Sequence, residues 1–173
     1  MSLSLYTATV GSYLQILPSV AGLVDKAEAH CRDKGLADEA IAGASIAPDM
    51  WPFAKQITSV AHHSAGAIKS IHAGVFGPDL EPAPTDFAAL RCRIADAIAM
   101  LQALDPAEID AMADRDTCFQ FKERRMDFTV SDFLLSFSLP NFYFHAAAAY
   151  SVLRNQGLAV GKTDFMGRPR MKV

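Results

Sequence analysis

The stretch Tyr6–Cys31, YTATVGSYLQILPSVAGLVDKAEAHC, decides the fold. Its residues Tyr6, Val10, Tyr13, Leu17, Val20, Val24, Ala27 and Cys31 follow one another at alternating steps of four and three. That spacing writes one apolar seam along an α-helix, with Asp25, Lys26, Glu28 and Arg32 off it. Pro18 cannot donate to the Leu14 carbonyl and predicts a kink, and Gly35 is a natural stop. Residues 1–24 carry no charged side chain, and Ala27-Glu28-Ala29 imitates a leader cleavage site. No Lys or Arg precedes Lys26, however, and Gly11, Ser12, Gln15 and Pro18 interrupt the apolar run. The stretch therefore reads as a buried helix rather than as a leader or a membrane span.

The same spacing recurs downstream. A second helix starts near Pro52 and carries Phe53, Ile57, Val60, Ser64, Ala67 and Ile71 before Gly74. Residues 77–84 hold three prolines and read as a loop. Thr85 then caps a third helix with the seam Phe87, Leu90, Ile94, Ala97, Leu101 and Leu104. Short helical turns are expected from Asp38 to Gly43 and after Asp105-Pro106. The period next changes to two: Phe119 and Phe121 alternate with Cys118 and Gln120, then Met126, Phe128 and Val130 with Asp127 and Thr129. That pattern predicts a short hairpin with one face on a core. Ser131 caps a fourth helix, with Leu134, Phe137, Phe144, Ala148 and Val152 inward and Gly157 past its end. The expected architecture is an all-α, up-down four-helix bundle with a short β-hairpin inserted before the last helix. One domain spans 1–173, and the basic tail 158–173 packs over an edge or stays mobile.

Composition narrows the function. Of 173 residues 51% are hydrophobic and the net charge is −3, which excludes a disordered chain and a polybasic nucleic-acid binder. Three cysteines, Cys31, Cys92 and Cys118, form no C-x-x-C pair and no even framework, so a reducing cytoplasm is expected. No phosphate-binding glycine loop, dinucleotide fingerprint, nucleophile elbow or H-E-x-x-H occurs.

A site in such a bundle is built from polar side chains on the seams. Asn141 sits between Phe137 and Phe144, and His145 lies four residues on, projecting from nearly the same face. Pro140 before them opens the helix locally by freeing the Ser136 carbonyl. On the second helix His63 lies beside the seam, aligned with Gln56 and Ser59, whereas His62 points about 200° away from Val60. His63, Asn141 and His145 then form either a divalent-metal site or a buried hydrogen-bond network. His30 and His72, near helix ends, serve the local dipole or face solvent. Cys31 and Cys92 read as small buried thiols, and Lys122-Glu123-Arg124-Arg125 as a solvated loop tip. Phe142 and Tyr143 lie on a helix apolar all round, so they face a second subunit or pack into the core.

Three motifs carry a resemblance: Met1-Ser2-Leu3-Ser4-Leu5-Tyr6, Ala47-Pro48-Asp49-Met50-Trp51-Pro52 and Leu139-Pro140-Asn141-Phe142-Tyr143-Phe144-His145. With Gly161-Lys162-Thr163-Asp164-Phe165-Met166-Gly167 they resemble an uncharacterised bacterial family similar to the DinB/YfiT superfamily of four-helix bundles. The resemblance implies a divalent ion, zinc or nickel, held by one histidine on helix two and an H-x-x-x-H on helix four. It also implies homodimers and, in some members, thiol-dependent transferase or isomerase chemistry, or a hydrolase-like reaction. His145 matches the second histidine of that pair, Asn141 stands in place of the first, and His63, or alternatively His62, matches the helix-two ligand. The leading expectation is a cytoplasmic homodimer with a small polar pocket (Gln56, Ser59, Tyr143) for a small molecule and no bound metal. A metal-dependent enzyme and a purely structural protein are the alternatives. Neither nucleic acid nor membrane is an expected partner.

Overall fold

In the computed structural model, which describes residues 3–172, the apolar seams become buried helix faces. Met1, Ser2 and Val173, part of the expected span, lie outside the described residues. Helix α1 (Leu5–Ala8), whose first turn the Ser4 hydroxyl caps, leads into α2 (Val10–Lys34). Val10, Tyr13, Leu17, Val20, Val24 and Ala27 are fully buried along α2. The segment Leu5–Lys34 is long and apolar enough to cross a membrane, but much of that apolar surface faces the interior of this fold. Gly35, with φ of 65°, ends α2 in the left-handed conformation.

Helix α3 (Glu39–Ala42) is followed by α4 (Phe53–Ala61), a π-helical turn over His62–Gly66, and α5 (Ala67–Ala73). Helices α6 (Phe87–Gln102) and α7 (Pro106–Ala111) precede the hairpin. After it come α8 (Val130–Asp132), a second π-helical turn over Phe133–Ser138, α9 (Leu139–Asn155) and α10 (Lys162–Met166). Helix α2 packs against α6 and α9, and α4 packs against the same two. Two caps differ from expectation: Asp86, not Thr85, accepts from the Ala89 N–H, and Thr129, not Ser131, accepts from the Asp132 N–H. In each case the extended residue is the one whose oxygen reaches the first turn.

The protein is mostly helical but not all-α. Strands β1 (Val75–Phe76), β2 (Asp116–Phe121) and β3 (Arg124–Thr129) form a sheet in that order, β1 parallel and β3 antiparallel to β2. The expected hairpin is β2–β3, closed by Lys122 (φ 52°) and Glu123. The parallel strand β1 escapes sequence reading because two residues show no period. Beyond α9, Leu158 and Val160 are buried, and α10 lies on α2 through the Lys26–Asp164 ion pair at 2.8 Å. The tail therefore packs over an edge.

The two π-turns each widen their helix by one residue. The Ala67 N–H donates to the His62 carbonyl and the Leu139 N–H to the Leu134 carbonyl, five residues back rather than four. The second turn absorbs Pro140, which has no N–H to continue an α-helix. Its extra residue brings Phe142 fully into the core, edge-on to Tyr13 at 4.8 Å. The expected interface role of Phe142 gives way to core packing, and the expected inward Phe144 is instead 58% exposed.

Candidate functional site

The two π-turns help to line a cavity of about 450 Å³. From α4 and its turn come Gln56, Ser59, His62 and His63; from the second turn and α9 come Phe137, Asn141, Phe144 and His145. The segment before α4 adds Asp49, Met50 and Trp51. The sheet and the loop after β1 close it with Phe76, Phe119, Pro78 and Asp79. Trp51, Phe76, Phe119, Phe137 and Phe144 put five aromatic side chains on its wall, so it is more apolar than the small polar pocket that the seams suggested.

Its centre is His145, 6% exposed. The ring is sandwiched between Trp51 (5.5 Å, 10° between planes) and His63 (5.5 Å, 19°). His145 Nδ1 lies 2.7 Å from Gln56 Oε1, and Gln56 Nε2 donates to the Trp51 carbonyl at 3.0 Å. A carbonyl only accepts, so Gln56 must turn its NH₂ to Trp51 and its oxygen to the ring. The proton of the neutral imidazole is thereby fixed on Nδ1, and Nε2 keeps the lone pair. Burial first, then the charges of His62 and Lys55, lower the His145 pKa to about 4. The ring is a neutral acceptor at pH 7.

His63 is held by its backbone. Its carbonyl accepts from Ser138 Oγ at 2.5 Å, and Tyr13 Oη lies 2.9 Å from Ser138 Oγ. With the serine proton committed to the carbonyl, the buried Tyr13 hydroxyl is the donor to Ser138, and burial pushes its phenol pKa well up. The His63 Nδ1 is buried without a partner. Burial, then His62 and His145, lower the His63 pKa to about 3.

His62 does not point away. It is half-buried, stacks on Phe76 at 4.4 Å and donates from Nε2 to the Gly77 carbonyl at 2.8 Å. Strand β1 and the residue after it bring this about by covering that side of the helix, and Gly66 leaves the room: a Cβ there would sit 3.2 Å from His62 Nδ1. Burial lowers its pKa, against the Gly77 carbonyl and Asp79, which raise it. Lys55 ties down the same loop by donating to the Asp79 and Glu81 carbonyls at 2.8 and 3.0 Å. Its Nζ also stands 3.7 Å from the Asp79 carboxylate and 5.7 Å above the Trp51 ring.

The cavity thus gathers His63, Asn141, His145, His62, Gln56 and Ser59, but not Tyr143. That ring, about 200° around α9 from His145, packs on Phe142 and is 37% exposed. A resident divalent ion needs lone pairs aimed at one point. The His63 and His145 planes are nearly parallel, so an ion in the plane of one ring lies outside the plane of the other. Gln56 already engages His145 Nδ1, and Asn141 Nδ2 donates back to the Phe137 carbonyl at 2.7 Å. As arranged, these three side chains do not fit one shared ion, and no group of three His, Cys, Asp or Glu among the described residues does. The seams missed Asp49, Trp51, Phe76, Asp79 and Phe119, which stand on a loop or a strand. Only Trp51, the single tryptophan and next to a helix-starting proline, gave a signal.

The helical framework and its small sheet match those of a DinB family member. A crystal structure of a DinB family member protein from Shewanella denitrificans matches 98% of this chain and 95% of that one, with a TM-score of 0.81 and 25% identity. The chain belongs to the family described as domain of unknown function, DUF1993, whose model matches residues 5–166. No curated protein matches it.

Proposed function

We propose that α2, α4–α5, α6 and α9 form the up-down four-helix bundle of a DinB-type protein that binds a small molecule in the cavity around His145. The carrying observation is the Trp51–Gln56–His145 arrangement, which fixes one tautomer and leaves the Nε2 lone pair free in an aromatic niche. Pockets of this size and lining suit organic ligands held by a few placed polar groups. Binding is favoured over proton abstraction. A general base works best with a pKa near the operating pH, whereas burial holds His145 near 4. In this reading the protein is a cytoplasmic homodimer; its three free cysteines support the compartment. Exposed Leu135 and Tyr143 support the second subunit.

Trp51 is the only indole in the chain and stands on the cavity, so its fluorescence reports occupancy directly. A fragment library should yield compounds that quench it saturably in the wild type and at least tenfold more weakly in His145→Asn, about 1.4 kcal/mol. A library without a saturable quencher, or quenching indifferent to His145→Asn, overturns the proposal.

A further inference from the structure

We infer that the cavity takes an organic ammonium ion: a protonated amine carried on an apolar or aromatic body. This rests on the small-molecule reading and names the class of ligand. Several of the polar groups on the cavity wall offer hydrogen-bond acceptors, beside the Ser59 hydroxyl and the His63 ring, which can also donate. His145 offers a lone pair on Nε2, and Asn141, its Nδ2 turned back to Phe137, keeps Oδ1 as the free end of its amide. Two acidic residues, Asp49 and Asp79, belong to the lining, and of these the Asp79 carboxylate is already met by Lys55 and the Glu81 N–H. Among the described residues no lysine or arginine lines the cavity, and the nearby Lys55 ammonium is already engaged by two carbonyls and Asp79.

The walls point the same way. Trp51 and Phe144 are 51% and 58% exposed, and Phe119 and Phe137 stand deeper. Aromatic faces carry negative potential and attract cations, tryptophan most strongly. An anion would meet carboxylates, a lone pair and ring faces, all of the wrong sign. A neutral alcohol would use the acceptors but, carrying no charge, would lack the cation–π attraction of the rings and the ion pairing of Asp49. An ammonium ion uses all of them.

Three probes of one shape, benzylammonium, benzyl alcohol and phenylacetate, separate these outcomes by Trp51 fluorescence titration. Benzylammonium should bind about tenfold more tightly than benzyl alcohol, and phenylacetate should not saturate. Asp49→Asn, an exposed position whose folding a thermal melt verifies, should narrow the benzylammonium advantage about threefold. If phenylacetate or benzyl alcohol binds as well as benzylammonium, the ligand class is wrong and the cavity stands. If Asp49→Asn leaves the advantage intact, the carboxylate has no part and the inference fails. If none of the three perturbs Trp51, the inference falls together with the small-molecule reading.

Discussion

Acidification should unfold this protein partly through one ring. The His145 imidazole titrates near 6.5 when free and near 4 in the fold, because burial opposes its charge. Between those values the unfolded chain binds a proton that the folded chain refuses. Stability from this group is therefore complete above pH 6.5, drains as pH falls toward about 4, and is constant below. At 1.36 kcal/mol per unit of pKa, the interval amounts to about 3 kcal/mol, a large share of a typical domain's stability. His63, held near 3, adds its own loss over a wider interval. His145→Asn keeps an N–H donor for Gln56 and removes the titrating ring together with its stacking on Trp51 and His63. Urea denaturation of wild type and variant at stepped pH should show the wild type's relative stability falling by about 3 kcal/mol between pH 6.5 and 4. In the folded wild type, imidazolium formation beneath the indole should quench Trp51 with a midpoint near 4. Parallel stability curves for the two proteins, or a quench centred near 6.5, would refute the burial argument.

Other substitutions test the supports of the site. Gln56→Glu places a carboxylate against His145 Nδ1 and should raise that pKa toward or above 6.5, seen as a shifted imidazole titration by NMR. Ser138→Ala strands both the His63 carbonyl and the Tyr13 hydroxyl and should cost roughly 1–3 kcal/mol in chemical denaturation. Tyr13→Phe leaves the serine-to-carbonyl bond intact and should cost less, about 1 kcal/mol. Gly167 has φ of 65°, and a Cβ there would run into the Gln15 carbonyl. Gly167→Ala should therefore lift the tail, break the Gln15–Met166 contact at 3.2 Å and hasten proteolysis after Arg168 and Arg170. An unchanged cleavage rate would show that the tail is anchored elsewhere.

The helical framework was legible because amphipathic period is a local signal. Val10 to Ala27 on α2, Phe53 to Ile71 on α4 and α5, and Phe87 to Leu101 on α6 lie buried where the steps of three and four put them. The same arithmetic erred where hydrogen bonding slips by one residue. Nothing in Phe133–Ser138 announces a π-turn, so α-helical arithmetic points Phe144 inward; for His62 the same arithmetic omits β1, whose Phe76 covers that side of the helix. The candidate site was half legible. Gln56, Ser59, His63, Asn141 and His145 stand on helices and were within reach. Trp51, Phe76, Asp79 and Phe119 converge only through tertiary packing, which no local period encodes.

Each π-turn is, in effect, an α-helix with one residue too many. Removing a single residue from His62–Gly66 would return that segment to an unbroken spiral and swing everything after it by about 100°. The imidazoles would then sit against different neighbours, while the remaining helices kept their places. Single-residue insertions and deletions at these two points are thus a short route by which one scaffold can rebuild its interior chemistry without refolding its frame.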